Sequence, residues 1–153
     1  MAISMEDIKA LREKTGAGVM DCRKALDEAK GDMKKAEAIL SKKGIEKADK
    51  KSDRITEEGV IESYIHANGK IGVLLELTCE TDFVARTDDF KTLAHEIAMQ
   101  IAAMEPSDVK NLSEQPYIRD YTLTISDLVK KTIAKVGENI VIKKFTRFEL
   151  GKK

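Results

Sequence analysis

Between residues 1 and 44 apolar side chains recur at helical spacing, and glycines punctuate the recurrence. Met5, Ile8 and Leu11 share one side of a helix that Ser4 can cap and that Thr15-Gly16-Ala17-Gly18 ends. Cys22, Ala25, Leu26 and Ala29 mark a second helix, which stops before Gly31. Asp32 opens a third, with Met33, Ala36, Ile39 and Leu40 on one face, and Gly44 closes it. The pattern then changes to alternation. VIESYIH (60–66) and KIGVLLELTC (70–79) flank Asn68-Gly69, a pair that supplies the positive φ of a tight hairpin turn. Ile71, Val73, Leu75 and Leu77 fall on one face, assigned to the core. Thr87 or Asp88 starts a helix with Phe90, Leu93, Ala94, Ile97, Ile101 and Met104 inward, and Pro106 follows its end. Residues 106–122 read as a polar connection. Thr124 caps a helix carrying Ile125, Leu128, Val129, Ile133 and Val136, which Gly137 terminates. NIVIKKFTRFEL (139–150) predicts a final strand whose alternation slips at Lys143-Lys144, as a bulge would make it do.

These elements predict an α+β fold. A three-helix module occupies residues 1–45, a charged linker residues 46–58, and a small antiparallel β-β-α-α-β core residues 59–153, with helices over one face of the sheet. The linker has little apolar surface, so the two modules are expected to move semi-independently. The other sheet face, to which alternation assigns Tyr64 and Leu74, is apolar for open solvent and leads to the expectation of a homodimer.

Composition adds modest constraints. The formal charge is zero, yet residues 1–55 carry more basic than acidic side chains and residues 56–110 the reverse, which hints at separate partner surfaces. Cys22 and Cys79 have neither metal-ligand spacing nor a disulfide framework. Without a secretory signal or an apolar run near the ~20 residues a bilayer requires, a cytoplasmic compartment with free thiols and no membrane partner is expected. With 5% aromatic residues and no Trp, each exposed Phe carries information.

Catalytic chemistry finds little support. His66 at the hairpin end and His95 within a helix lack the neighbours of a triad, and His95-Glu96 lacks the second His of a zinc-protease helix. Gly16-Ala17-Gly18 follows a helix instead of a strand, so helix punctuation explains it better than a phosphate loop. No covalent catalysis, cofactor or resident metal is expected. The run KKGIEKADKKSDR (42–54) is basic, but Glu46, Asp49 and Asp53 interrupt it and no aromatic is interleaved. A solvated segment without direct nucleic-acid binding is the reading, and an adaptor for nucleic acid or the ribosome is the alternative.

CETDFVAR (79–86) leaves an apolar strand and sets Phe83 among Glu80, Asp82 and Arg86. Pattern alone favours Phe83 as core, packed beside Phe90, because apolar side chains at strand-to-helix corners usually point inward. This stretch resembles the second signature of the bacterial elongation factor Ts family, nucleotide exchange factors of elongation factor Tu. LREKTGAGVMDCRKALDEAKGDMKKAEAIL (11–40) resembles the family's opening helical module, and GENIVIKKFTRFELG (137–151) its closing strand. The order is the family's own and covers nearly the whole chain.

The resemblance implies a ubiquitin-associated-like opening module that grips the nucleotide domain of Tu, with Lys9, Arg12, Val19 and Met20 as contact candidates. Val19 stands where some relatives have methionine, and helix-start packing is an equal reading of Val19 and Met20 on the sequence alone. It further implies that Thr81, Asp82, Phe83 and Val84 disturb the magnesium site of GDP-bound Tu, with Phe83 inserted between supporting elements, leaving nucleotide-free Tu as the tightest partner. Under this reading Phe83 is a wedge. Many relatives are longer between the positions matching Pro106 and Gln115, so contacts with distal domains of Tu are not carried over.

Overall fold

The computed structural model describes residues 2–152. Helices α1 (Met5–Thr15), α2 (Val19–Glu28) and α3 (Met33–Asp49) come first. Strands β1 (Glu58–Ile65) and β2 (Ile71–Cys79) follow, then helices α4 (Asp82–Ala85), α5 (Asp88–Met104) and α6 (Val109–Glu114). A small hairpin, β3 (Pro116–Tyr117) and β4 (Asp120–Thr124), leads into α7 (Ile125–Val136) and β5 (Ile140–Glu149). The α+β class is as the sequence predicts.

The first three helices form around their capping residues. The Ser4 side chain accepts from Asp7 N–H while Asp7 reaches back to Ser4, a reciprocal pair that satisfies two donors at the start of α1. At α3 the Asp32 side chain accepts from Lys35 N–H, a one-way cap. Ile8, Leu11, Cys22, Ala25, Leu26, Ala36 and Leu40 make a small buried cluster. Met5, expected inward, is 73% exposed, because only Ile8 and Leu11 of that helix face α2 and α3.

The expected end of the third helix at Gly44 is corrected. α3 runs through Gly44 to Asp49, and Ala48 is buried in the second, larger core. A mid-helix glycine costs about 1 kcal/mol against alanine. Here tertiary packing outweighs that cost: α3 lies against α7, and a Cβ on Gly44 would sit 3.2 Å from the Ala134 Cβ. One helix therefore contributes to both apolar clusters. The rest of the expected linker is also fastened. Thr56 is buried with its hydroxyl 2.7 Å from that of Thr78, and the Arg54 carbonyl accepts from Asn139 Nδ2 at 2.9 Å.

β1, β2 and β5 form one antiparallel sheet in the order β1-β2-β5. Its inner face carries Val73, Leu75, Leu77 and Cys79 against Phe90, Leu93, Ala94, Ile97 and Ile101 of α5, with Ile125, Val129 and Ile133 of α7 completing the cluster. Burying such side chains contributes roughly 1.5–3 kcal/mol each, so this cluster dominates stability. Met104, expected inward, is 46% exposed at the end of α5. The slip at Lys143 is real: Glu76 pairs with Lys144 and Leu77 with Ile142, leaving Lys143 as the extra residue.

Among the described residues no helix covers the far sheet face. Ile61, Ile65, Leu74 and Phe148 are exposed there, and Ile65 spreads over Gly72, whose β5 partner is Phe148. Leu74 lies on this face as expected, but Tyr64 does not. It pairs with Val73, and paired residues share a face, so Tyr64 packs against the helix-covered core in a T-shaped arrangement with His95. The predicted polar connection at 106–122 is likewise corrected. It contains α6 and the β3–β4 hairpin, anchored by buried Leu112 and Tyr117 and by buried Gln100, whose amide donates to the Pro116 carbonyl at 3.1 Å.

Candidate functional site

Where β2 ends, the chain turns through two successive helix caps. Thr81 is extended and its hydroxyl accepts from Val84 N–H at 3.3 Å, opening the one-turn helix α4. Thr87 caps α5 in the same way through Phe90 N–H, and its hydroxyl donates back to the Val84 carbonyl at 2.7 Å. Two caps separated by a single turn force a tight corner. Its sides are unlike: Val84 and Ala85 are buried, whereas Phe83 is 78% exposed.

The corner is fastened from outside its own segment. The Glu138 carboxylate accepts from Thr81 N–H at 3.0 Å and from the Thr81 hydroxyl at 2.8 Å. Glu80 accepts from Asn139 N–H at 2.8 Å and forms an ion pair with Arg54 at 3.4 Å. Asp82 pairs with Arg86 along the surface. Below, the Cys79 thiol donates to the Thr81 carbonyl at 3.1 Å, and burial, reinforced by the Glu138 charge, pushes its pKa up to about 11. This thiol stays protonated at neutral pH and acts as a buried hydrogen-bond donor.

Of the four residues expected at this site, Asp82 and Phe83 face solvent. Thr81 is used as a cap and tie, and Val84 is a core residue at 6% exposure. The core reading of Phe83 fails on its exposure, since Phe90 fills the interior position alone. In the three-helix module Lys9, Arg12, Val19 and Met20 are all exposed, Met20 at 60%. Gly18, extended, precedes α2 and gives it no side-chain cap. The packing reading of Val19 and Met20 therefore does not hold. Arg54, Glu138 and Asn139, which hold the corner together with Glu80, were not tied to it by the sequence. Only the Gly137 helix stop hinted that a turn lies there, and nothing local says which strand end it meets. Among the described residues there is no cluster of three His, Cys, Asp or Glu able to hold a metal, and no helix long and apolar enough to cross a membrane.

The family model described as "Elongation factor TS" matches residues 80–153, beginning inside the corner itself. The elongation factor Ts of Thermotoga maritima is 46% identical over 194 aligned positions, covering 99% of this chain and 98% of that protein. That of Coprothermobacter proteolyticus is 44% identical, covering 99% of this chain and 100% of its own. The chain belongs to the elongation factor Ts family. It is a translation elongation factor, a component of protein biosynthesis. The alignment with the Thermotoga protein is longer than the 153 residues of this chain, so that relative carries residues missing here. Gloeothece citriformis shows the family's range of length: its elongation factor Ts is 46% identical, but this chain covers 68% of it.

Proposed function

We propose that this chain is a nucleotide exchange factor for elongation factor Tu, acting without covalent chemistry of its own. The observation that carries the reading is Phe83, 78% exposed on a corner whose backbone is fastened by Glu138. A large apolar side chain displayed to water on a fastened backbone is poorly explained by the fold alone.

In this mechanism Lys9, Arg12, Val19 and Met20 grip the nucleotide domain of Tu. Phe83 enters an apolar slot beside the elements that support the partner's magnesium, Asp82 assists at the rim, and Thr81 and Val84 hold the segment in shape. Magnesium bridges nucleotide phosphates to protein, so moving its support weakens the hold on GDP. Binding of the factor and of GDP are then mutually unfavourable by the same free energy. The factor engages GDP-bound Tu, binds nucleotide-free Tu most tightly and leaves as GTP enters. The cytoplasm is the compartment this role requires.

The reading of the uncovered sheet face as a homodimer surface is supported by exposed Ile61, Ile65, Leu74 and Phe148. A nucleic-acid adaptor is less well supported, because Lys43 and Lys47 of the basic run pair with Glu28 and Asp21. Release of labelled GDP from purified Tu tests the proposal directly. Acceleration that saturates with the concentration of this protein is expected, and an unchanged rate would remove the exchange role.

A further inference from the structure

The two proposed contact surfaces sit on different parts of the chain, and one short segment touches both. At the end of α7, Ala134 faces Gly44 of α3, leaving no room for a larger residue without a shift. The next residue, Lys135, lays its aliphatic stem along Gly16: a Cβ there would lie 3.2 Å from its Cγ and 3.6 Å from its Cδ. Gly16, at φ 72, ends α1 and begins the loop that leads to Val19 and Met20. Beyond Gly137, Glu138 takes both donors of Thr81, and Asn139 holds Glu80 through its N–H and the Arg54 carbonyl through its amide. The segment is itself anchored, since Ile125, Val129 and Ile133 root α7 in the main core.

We infer that residues 134–139 are a brace that sets the spacing between the Met20 surface and Phe83, with Gly44 and Glu138 as positioning residues for exchange. The inference rests on the exchange reading above. When one surface docks, the second arrives at an effective concentration fixed by geometry, so a wrong spacing penalises the second engagement more than the first. A cleft of about 260 Å³, lined in part by Lys14, Gly16, Lys131 and Lys135, lies beside this contact. Removing the tie to Thr81 frees the corner without opening either core, because Glu138 and Thr81 stand at the surface.

Three variants test the brace: Glu138→Ala, Glu138→Gln and Gly44→Leu. Glu138→Ala is expected to lower the saturating rate of GDP release about tenfold or more, with a smaller change in the half-saturating concentration. Glu138→Gln restores it, because the amide oxygen accepts from Thr81 N–H and the amide nitrogen donates to the Thr81 hydroxyl. Gly44→Leu favours the helix but wedges α3 from α7, and lowers the same rate with the corner tie intact. Amide hydrogen exchange of the free protein is the second readout. Residues 79–87 exchange faster in Glu138→Ala and as in the parent in Gly44→Leu. Unchanged protection of 79–87 in Glu138→Ala overturns the brace, as does faster exchange there with an unaltered saturating rate. Should the parent protein leave GDP release from Tu unchanged, the exchange reading falls and the positioning role that rests on it falls too; hydrogen exchange then reports only whether Glu138 holds the corner.

Discussion

Phe83 and Phe90 lie on either side of the Thr87 helix cap and end in opposite surroundings: Phe83 is 78% exposed and Phe90 is at 0%. The difference follows from the single turn of α4, which directs Val84 inward and Phe83 out. Phe83→Ala should leave stability within about 0.5 kcal/mol of the parent and lower GDP release from Tu about tenfold or more. Phe90→Ala should cost about 3–5 kcal/mol and lose activity with the fold. Urea unfolding and exchange kinetics on both variants check the pair. A stable Phe83→Ala protein with normal exchange would reject the wedge.

Gly59 gives a sharper stability prediction. Its φ of 148 is disfavoured for other residues, and a Cβ there would meet the Leu77 carbonyl oxygen at 2.1 Å. Gly59→Ala must spread β1 from β2 and should cost about 2 kcal/mol or more. Gly69→Ala at φ 72 meets nothing within 4 Å and should cost about 1 kcal/mol from backbone strain alone. Denaturation midpoints that fail to separate the two would contradict the packing at Gly59.

The protein should lose stability in alkali. Burial first, then the Glu138 charge, raises the Cys79 thiol from 9.0 to about 11. Burial first, then the hydrogen bond to Glu96, raises the Tyr117 phenol from 10.0 to about 12. Folding therefore favours both protonated forms. Their contribution is fully present below the unfolded values and is lost as pH rises through the folded ones. Urea midpoints should begin to fall above about pH 9, and Cys79→Ala should flatten the part between about pH 9 and 11. An unchanged slope in that variant would count against a protonated buried thiol.

Self-association through the open sheet face is the next test. Sedimentation equilibrium should show twice the 17.0 kDa chain mass, and Leu74→Glu or Phe148→Glu should return the monomer. A single 17.0 kDa species of the parent at high concentration would exclude it.

Helix starts were legible in the sequence because caps are local: Ser4, Asp32, Thr87 and Thr124 each bond within three residues of themselves. The bulge was legible for the same reason, since alternation breaks within one strand. What stayed hidden depends on distant partners. Gly44 reads as a stop until Ala134 is seen beside it, and Tyr64 can be assigned to a face only once its pairing with Val73 is known. The corner was readable as a motif, but its ties from Glu138 and Asn139 cross most of the main core's sequence. The β3–β4 hairpin was missed because its strands are too short for alternation to register.

The extra residue in β5 has a consequence for solution behaviour. β5 is an outer strand, and a continuous outer strand offers its free backbone groups to any other strand that approaches. At the bulge that row is interrupted and bent, and Lys143 and Lys144 stand exposed side by side. An incoming chain would have to lose register there and approach two like charges at once. Strand-by-strand growth into fibres is thereby discouraged along this border.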